Sequence, residues 1–247
     1  MAKYRMICDW HTHTVFSDGK GQIEDNVRAA AEKKLQTIGI TDHGPGHVGF
    51  GLARKNIPVM RAEIERLKGV YPEIEILLGV EANIMNKAGV IDISQEEYDL
   101  FDYVMAGYHY GVVGENIIYM MKSACINFFC DRMGGSAPKQ KAANTEMLVN
   151  AILNNNIFMV THPGDKGPLD VKPVAEACYA TDTLFEINTH HDCLSEEELR
   201  IAAATGVKFA VSSDAHKPVH VGEFEQAVER VLRAGVELSQ IVNVVVG

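Results

Sequence analysis

Short apolar runs typical of β-strands alternate with segments of helical periodicity along the whole chain. Apolar strands that are each followed by an amphipathic helix are typical of a parallel sheet covered by helices. Seven such units predict an α/β protein with a closed (β/α)7 barrel of the TIM-barrel type, and a doubly wound open sheet is the alternative. The predicted strands are residues 5–10, 37–41, 75–80, 103–107, 157–161, 184–188 and 208–211.

The chain has 247 residues and no linker or internal repeat, so we predict a single domain over residues 1–247. Residues 111–143 separate the fourth predicted strand from its helix. We interpret this stretch as an insertion near the active-site mouth that forms a lid or a dimer contact. The alternative is an extra helix packed on the barrel wall. The apolar face of the insertion comprises Ile117, Ile118, Met121, Cys125, Phe128 and Phe129.

Composition disfavours several classes of protein. The 23 Lys and Arg against 33 Asp and Glu give a net charge of −10, which disfavours broad binding to nucleic acid or to anionic membranes. No apolar run approaches the roughly 18 residues of a membrane-spanning helix. A histidine motif begins at residue 11, so we expect no signal peptide. The 5 cysteines are scattered, which favours reduced thiols and a cytoplasmic location.

Residue types that bind metal ions follow almost every predicted strand. The carboxyl ends of the strands of a parallel barrel converge on one face, so residues far apart in sequence would meet in one cleft. We therefore predict a metal site on that face. The candidates are His11, His13, Asp42, His43, Glu81, His109, His162, Asp214 and His216.

The local patterns support this prediction. In an extended segment, His11 and His13 lie on the same side of the chain, and Asp214 and His216 repeat that spacing. Glu81 ends an apolar strand, where a buried carboxylate is costly without a cation, and a carboxylate can bridge two ions. The Asp42-His43 pair would supply one ligand and one carboxylate that orients an imidazole.

Other polar residues are candidates for substrate contacts or for simple exposure. Asn188 would hydrogen-bond a metal-bound water or a phosphate oxygen, while His190 and His191 follow the sixth strand and would touch substrate or solvent. We expect His47 and His220 to be solvated loop residues. Three lysines would contact an anionic substrate, or are simply exposed on the surface: Lys166, Lys139 and Lys141.

Several motifs, in this order along the chain, resemble those of the PHP (polymerase and histidinol phosphatase) family. The resemblance is greatest to its stand-alone phosphatases of the YcdX type. The motifs are D-W-H-T-H-T with S-D-G at 9–19, T-D-H-G-P at 41–45, G-V-E-A-N-I at 79–84, A-G-Y-H at 106–109, T-H-P-G at 161–164, E-I-N at 186–188 and S-D-A-H at 213–216.

This resemblance implies a distorted seven-stranded barrel with three divalent ions, which are zinc, manganese or iron. It assigns His11, His13, Glu81 and Asp214 to the first ion. Glu81 would bridge to the second ion, which His109 and His162 also bind. His43 and His216 would bind the third ion with one further ligand. Where similar phosphatases have a histidine, this chain has Ser17-Asp18-Gly19-Lys20. Asp18 is the candidate for the further ligand of the third ion, because other members of the family share S-D-G here.

The expected reaction is hydrolysis of a small phosphomonoester by a metal-activated hydroxide, with Glu81, His43 and Asp214 acting through the metal-bound water. Histidinol phosphate, or a nucleotide or oligonucleotide phosphodiester end, is the alternative substrate. Amidohydrolase chemistry is a further alternative, although that class typically has a lysine where this chain has His109. A metal-loaded sensor without catalysis is the last alternative. A homo-oligomer is possible, and nucleic acid is expected only as a short substrate.

Overall fold

A parallel barrel forms the centre of the protein. The computed structural model describes residues 4–112, 117–133 and 137–247. Seven parallel strands lie side by side in chain order, and a separate antiparallel pair joins the two ends of the chain. The barrel strands are β2 (Cys8–Asp9), β3 (Thr37–Ile40), β4 (Glu75–Asn83), β5 (Tyr103–Gly107), β6 (Met159–Val160), β7 (Leu184–Asn188) and β8 (Phe209–Ser212), and the pair is β1 (Tyr4–Met6) with β9 (Val244–Val246).

Helices cover the outside of this barrel. Their apolar stripes face the strands, as Val27 and Ala30 of the first helix and Ile64 and Leu67 of the second illustrate by their complete burial. Among the described residues, no helix has both the length and the apolar character needed to cross a membrane. The helices are α1 (Ile23–Glu32), α2 (Ile57–Val70), α3 (Ile117–Met133), α4 (Pro138–Asn154), α5 (Val171–Thr181), α6 (Glu196–Ala203) and α7 (Glu225–Ala234).

The barrel is nearly closed between β2 and β8. Just beyond these strands, Thr12 pairs in parallel with Ala215. The buried amide of Asn243 fills the remaining gap: its Nδ2 donates to the carbonyls of Cys8 and Val211, each at 2.7 Å, and its Oδ1 accepts from the Val211 N–H at 2.9 Å. A side chain thus satisfies backbone groups that would otherwise lack a neighbouring strand. The predicted barrel is confirmed.

Several strand boundaries differ from the sequence prediction; β6, for example, is only Met159–Val160 rather than 157–161. The predicted first strand divides into β1 and β2, because its start pairs with the C-terminal strand rather than with the barrel. Strand β4 continues to Asn83, so Glu81 lies inside the strand rather than after it.

The predicted insertion over 111–143 contains α3 and the start of α4; residues 113–116 and 134–136 fall outside the described part of the chain. The apolar side chains of Met121, Phe128 and Phe129 are exposed, whereas Ser123 and Asn127 are buried. Asn127 and Asn144 of α4 exchange hydrogen bonds. The predicted apolar face, as far as it is described, therefore points away from the barrel, and polar contacts attach α3.

Candidate metal centre

The predicted ligands converge at the carboxyl ends of the barrel strands. The first group of ligand atoms comes from His11, His13, Asp214 and Glu81. Nε2 of His13 lies 3.1 Å from Nε2 of His11 and 3.0 Å from Oδ1 of Asp214. Oε1 of Glu81 lies 3.4 Å from Nε2 of His11. Tetrahedral ligands with bonds of about 2.0–2.1 Å lie about 3.3–3.4 Å apart, so this spacing fits one ion.

Glu81 also belongs to a second group. Its Oε1 lies 2.8 Å from Nε2 of His162 and 3.2 Å from Nε2 of His109, and these two nitrogens are 3.3 Å apart. Its other oxygen, Oε2, lies 2.8 Å from Nδ1 of His43. One carboxylate therefore faces imidazoles on both of its oxygens, as a bridging ligand does.

Asp18 lies in a third group with His216, His43 and His13. Its Oδ1 is 3.2 Å from Nε2 of His216 and 3.7 Å from Nε2 of His43. The side chain of Asp18 is 22% exposed, whereas that of Glu81 is fully buried, so this group lies nearer to solvent. The structure thus places Asp18 beside the two histidines with which the resemblance associates it.

Unpartnered buried atoms indicate that these groups fit cations. Within the described residues, Oε2 of Glu81, Oδ1 of Asp214 and Nδ1 of His43 are buried, and their close contacts with one another and with His13 lack the geometry of a hydrogen bond. Burying charged groups without compensation is costly. Imidazole and carboxylate donors suit zinc, iron and manganese, so the residues present fit divalent ions of this kind.

The protonation states also suit metal binding. Burial lowers the pKa of His13 to about 3 and that of His109 to about 4. Although burial opposes ionisation, nearby imidazoles hold the pKa of Glu81 and of Asp214 well below the usual range. Metal ions bind neutral imidazoles and ionised carboxylates. His11 differs, because neighbouring carboxylates raise its pKa despite its burial, so a metal would displace a proton there.

Hydrogen bonds behind the ligands fix their orientation. Nδ1 of His11 donates to Oε1 of Glu186 at 2.6 Å, and Nδ1 of His109 donates to Oδ1 of Asn83 at 2.8 Å. Each bond leaves Nε2 facing the ligand group. Such partners set the tautomer and the basicity of a ligating imidazole.

Two of the predicted ligands have an unusual backbone conformation. His162 has φ 28° and Asp214 has φ 51°, a left-handed conformation that costs a non-glycine residue about 1–3 kcal/mol. The N–H of His162 donates to Oε2 of Glu186 at 2.5 Å, and Nδ2 of Asn188 donates to Oδ2 of Asp214 at 3.0 Å. The surrounding site thus stabilises both residues in strained positions.

Two further buried carboxylates hold loops. Asp42, expected to orient an imidazole, instead accepts hydrogen bonds from Thr14 N at 2.8 Å and Ser17 Oγ at 2.5 Å, and so fixes the turn that leads to Asp18. Asp9 accepts a hydrogen bond from Oγ of Ser213 at 2.5 Å, and Ser213 precedes Asp214 in the chain. Asp9 also accepts a hydrogen bond from the N–H of Gly222.

A cavity of about 570 Å³ opens above the ligand groups, and its lining includes the predicted substrate residue Lys166. His47 also lines it, although a solvated loop was the expectation, and its ring centroid lies 5.6 Å from that of His43. His191 contacts Asp165 and Asp214; despite burial, these bonds raise its pKa to about 10. Further lining side chains are Val48, Phe50, Tyr110 and Asp165.

Two predicted substrate residues are placed elsewhere. Among the described residues, the cavity lining includes neither Asn188 nor His190. Asn188 is buried and contacts Asp214, and His190 points to a different cluster, while its neighbour His191 lines the cavity. Lys139 and Lys141 are exposed in the first turn of α4, away from this cavity.

Glu186 belongs to the motif E-I-N, but it was not among the predicted site residues. The signal was present, since Glu186 is a carboxylate in the apolar strand L-F-E-I-N. The same argument that selected Glu81 applies to it, because a buried acid in such a strand requires a partner.

A parallel barrel with imidazoles and carboxylates gathered at its carboxyl face defines the class of metal-dependent barrel hydrolases. The chain belongs to the PHP family, since the PHP domain model matches residues 9–170. The probable phosphatase YcdX of Shigella flexneri serotype 5b (strain 8401) is 32% identical over 246 residues, covering 96% of this chain and 89% of that protein. A probable phosphatase of Caldanaerobacter subterraneus subsp. tengcongensis is 34% identical over 241 residues, covering 92% and 82%.

A solved structure shares this fold. Histidinol phosphate phosphatase from Lactococcus lactis, complexed with zinc, L-histidinol and phosphate, superposes with a TM-score of 0.61 at 16% identity, covering 94% of this chain and 95% of that one. The predictions of a PHP-family member, a TIM-like barrel and a metal-dependent hydrolase are thereby confirmed.

Proposed function

We propose that the protein hydrolyses a small phosphomonoester at a centre of three divalent ions. The observation that carries this proposal is the position of Glu81, whose two oxygens face different imidazoles beside the substrate-sized cavity. The proposed ligands are His11, His13, Glu81 and Asp214 for the first ion, Glu81, His109 and His162 for the second, and Asp18, His43 and His216 for the third.

The metals proposed are zinc, manganese or iron. Asp18 provides a hard oxygen ligand, which makes the third position more tolerant of manganese than a histidine would. Ions held in these groups would polarise a phosphoryl group, lower the pKa of a water and stabilise the leaving oxygen.

The chain itself supplies binding and orientation. Lys166 lines the cavity as a cation that attracts a phosphate, and Asp165 pairs with it. Val48 and Phe50 offer apolar surface to the organic part of a substrate. Glu186 holds the ring of His11 in place, so that its Nε2 stays directed at the ligand group.

The alternatives share the same site. The Lactococcus lactis structure contains histidinol and phosphate, which supports histidinol phosphate as one candidate substrate. Nucleotide or oligonucleotide phosphodiester ends also suit a metal centre beside an open cavity. Amidohydrolase chemistry is disfavoured for two reasons. Glu81 occupies the position between the first and second ligand groups, and β5 is followed by Tyr108 and His109 rather than by a lysine.

The test is phosphate release from a panel of phosphomonoesters that includes histidinol phosphate and mononucleotides. We expect turnover with zinc or manganese that a chelator removes and metal restores. Phosphodiesters and amides are assayed in parallel. Absence of release from every phosphomonoester, with metals verified as bound, would contradict the proposal, and turnover of either other class would replace it. Absence of all turnover would favour a sensor.

A further inference from the structure

Three side chains with metal-binding groups meet outside the proposed centre. One ligand atom each of His190, His220 and Glu223 lies within 4.8 Å of the other two. Nε2 of His190 and Nδ1 of His220 both lie 3.1 Å from Oε2 of Glu223. None of these residues belongs to the groups around Glu81. Two imidazoles from different loops therefore converge on one carboxylate oxygen.

Backbone contacts fix the loops that carry this cluster. Thr189, next to His190, donates from Oγ1 to the carbonyl of Glu223 at 2.9 Å. The N–H of His190 donates to Oδ1 of Asn188 at 2.9 Å. Gly222 donates its N–H to the buried Asp9 at 2.8 Å. These bonds do not involve the three converging side chains, so the loops present them to one another independently.

The spacing and the exposure of the cluster suit a metal ion. Ligand atoms around tetrahedral zinc lie about 3.3–3.4 Å apart, close to the observed N–O separations. The three side chains are 34% to 38% exposed, so an ion has access from solvent and water can complete its coordination. Two imidazoles and one carboxylate are a ligand set that zinc commonly takes with one open position.

We propose that His190, His220 and Glu223 form a further zinc site, separate from the centre around Glu81. Zinc bound there links the loop after β7 to the loop after β8, and these loops also carry His191 and Asp214. The competing explanation is a hydrogen-bonded cluster, in which both imidazoles donate to one carboxylate oxygen without any metal.

Metal stoichiometry separates these explanations. The intact protein and its His220→Ala variant are equilibrated with zinc at a series of buffered free concentrations. Bound zinc is measured by inductively coupled plasma mass spectrometry. We expect the variant to bind one ion per chain fewer near the concentration that fills the extra site. Its affinity there should fall at least about tenfold, because even removing the partner of a ligand costs this much.

Matched variants control for indirect effects. Glu223→Gln should lose the same ion, and Glu225→Gln, which changes a nearby glutamate outside the cluster, should keep it. Circular dichroism identifies a variant that fails to fold, in which case His190→Ala provides the same comparison. Equal zinc binding by the intact protein and all folded cluster variants would overturn the proposal. Because the readout is zinc content, the result does not depend on which ester the enzyme hydrolyses.

Discussion

Oε1 of Glu186 lies 2.6 Å from Nδ1 of His11, and the other oxygen of the same carboxylate accepts the N–H of His162 at 2.5 Å. Glu186 is completely buried on β7, between the two ligands that it contacts. One carboxylate therefore fixes the ring of a proposed ligand from the first group and the backbone of a proposed ligand from the second.

Removing this carboxylate should weaken metal binding. We expect Glu186→Ala to lower metal affinity by about 10- to 100-fold, since partners behind ligating histidines typically contribute this much. Glu186→Gln keeps an acceptor for His11 and should lose less. Competition with a chromophoric chelator measures the affinity. Unchanged affinity in a folded Glu186→Ala variant would show that His11 does not need this contact.

Glu81, which we propose as the shared ligand, should be indispensable for turnover. We expect Glu81→Gln to lower kcat on the order of a thousandfold, because the loss of several kcal/mol of stabilisation by the metals has this effect. The far-ultraviolet circular dichroism should stay unchanged. Glu198→Gln, a change in the exposed cap of α6, is the control. Most of the activity surviving in Glu81→Gln would refute a mechanism centred on the metals.

The convergence of the proposed ligands was predictable because they lie near or just beyond the carboxyl ends of strands, and a parallel barrel brings such positions together whatever the loops do. The conformation of the loops was less predictable than the positions at the ends of the strands. His191 rather than His190 lines the cavity, although the two are neighbours in sequence. A helical period identifies an apolar face but not the direction in which it points, so the sequence left open whether Phe128 packs on the barrel wall or is exposed, as the structure shows it to be.

Closure of the barrel at Asn243 also escaped prediction, since it depends on contacts between the two ends of the chain. Its side chain makes three hydrogen bonds with backbone groups of β2 and β8. We expect Asn243→Ala to lower the free energy of unfolding by about 2–4 kcal/mol, because buried backbone groups lose their partners. Urea unfolding measures this. Asn154→Ala, which removes an exposed hydrogen bond to Ala88, should change it by less than about 0.5 kcal/mol.

The cysteines should differ in reactivity. Burial, with the nearby charge of Asp165, raises the pKa of Cys193 to about 12, whereas Cys125 is exposed. At pH 8 Cys193 is therefore almost entirely in the thiol form, so iodoacetamide should modify Cys125 much faster. Between pH 8 and pH 9 the rate at Cys193 should rise about tenfold. Peptide mass spectrometry follows both sites, with Cys125→Ser as the control, and equal rates at pH 8 would contradict this assignment.

The exposed face of α3 bears on the prediction of a lid or a dimer contact. Met121, Phe128 and Phe129 are 62%, 52% and 59% exposed there. Clustered apolar exposure of this kind favours a protein contact.

We therefore expect the double variant Phe128→Ser and Phe129→Ser to shift a dimer towards monomer, with activity per active site retained, because α3 itself is attached through Asn127 and not through these rings. Light scattering across a concentration series measures the mass. Val59→Ser, which removes an exposed apolar side chain from α2, is the control. A dimer that persists in the double variant would exclude this face as the contact, and an intact protein that is monomeric throughout would leave a lid or a helix packed on the barrel wall as the role of α3.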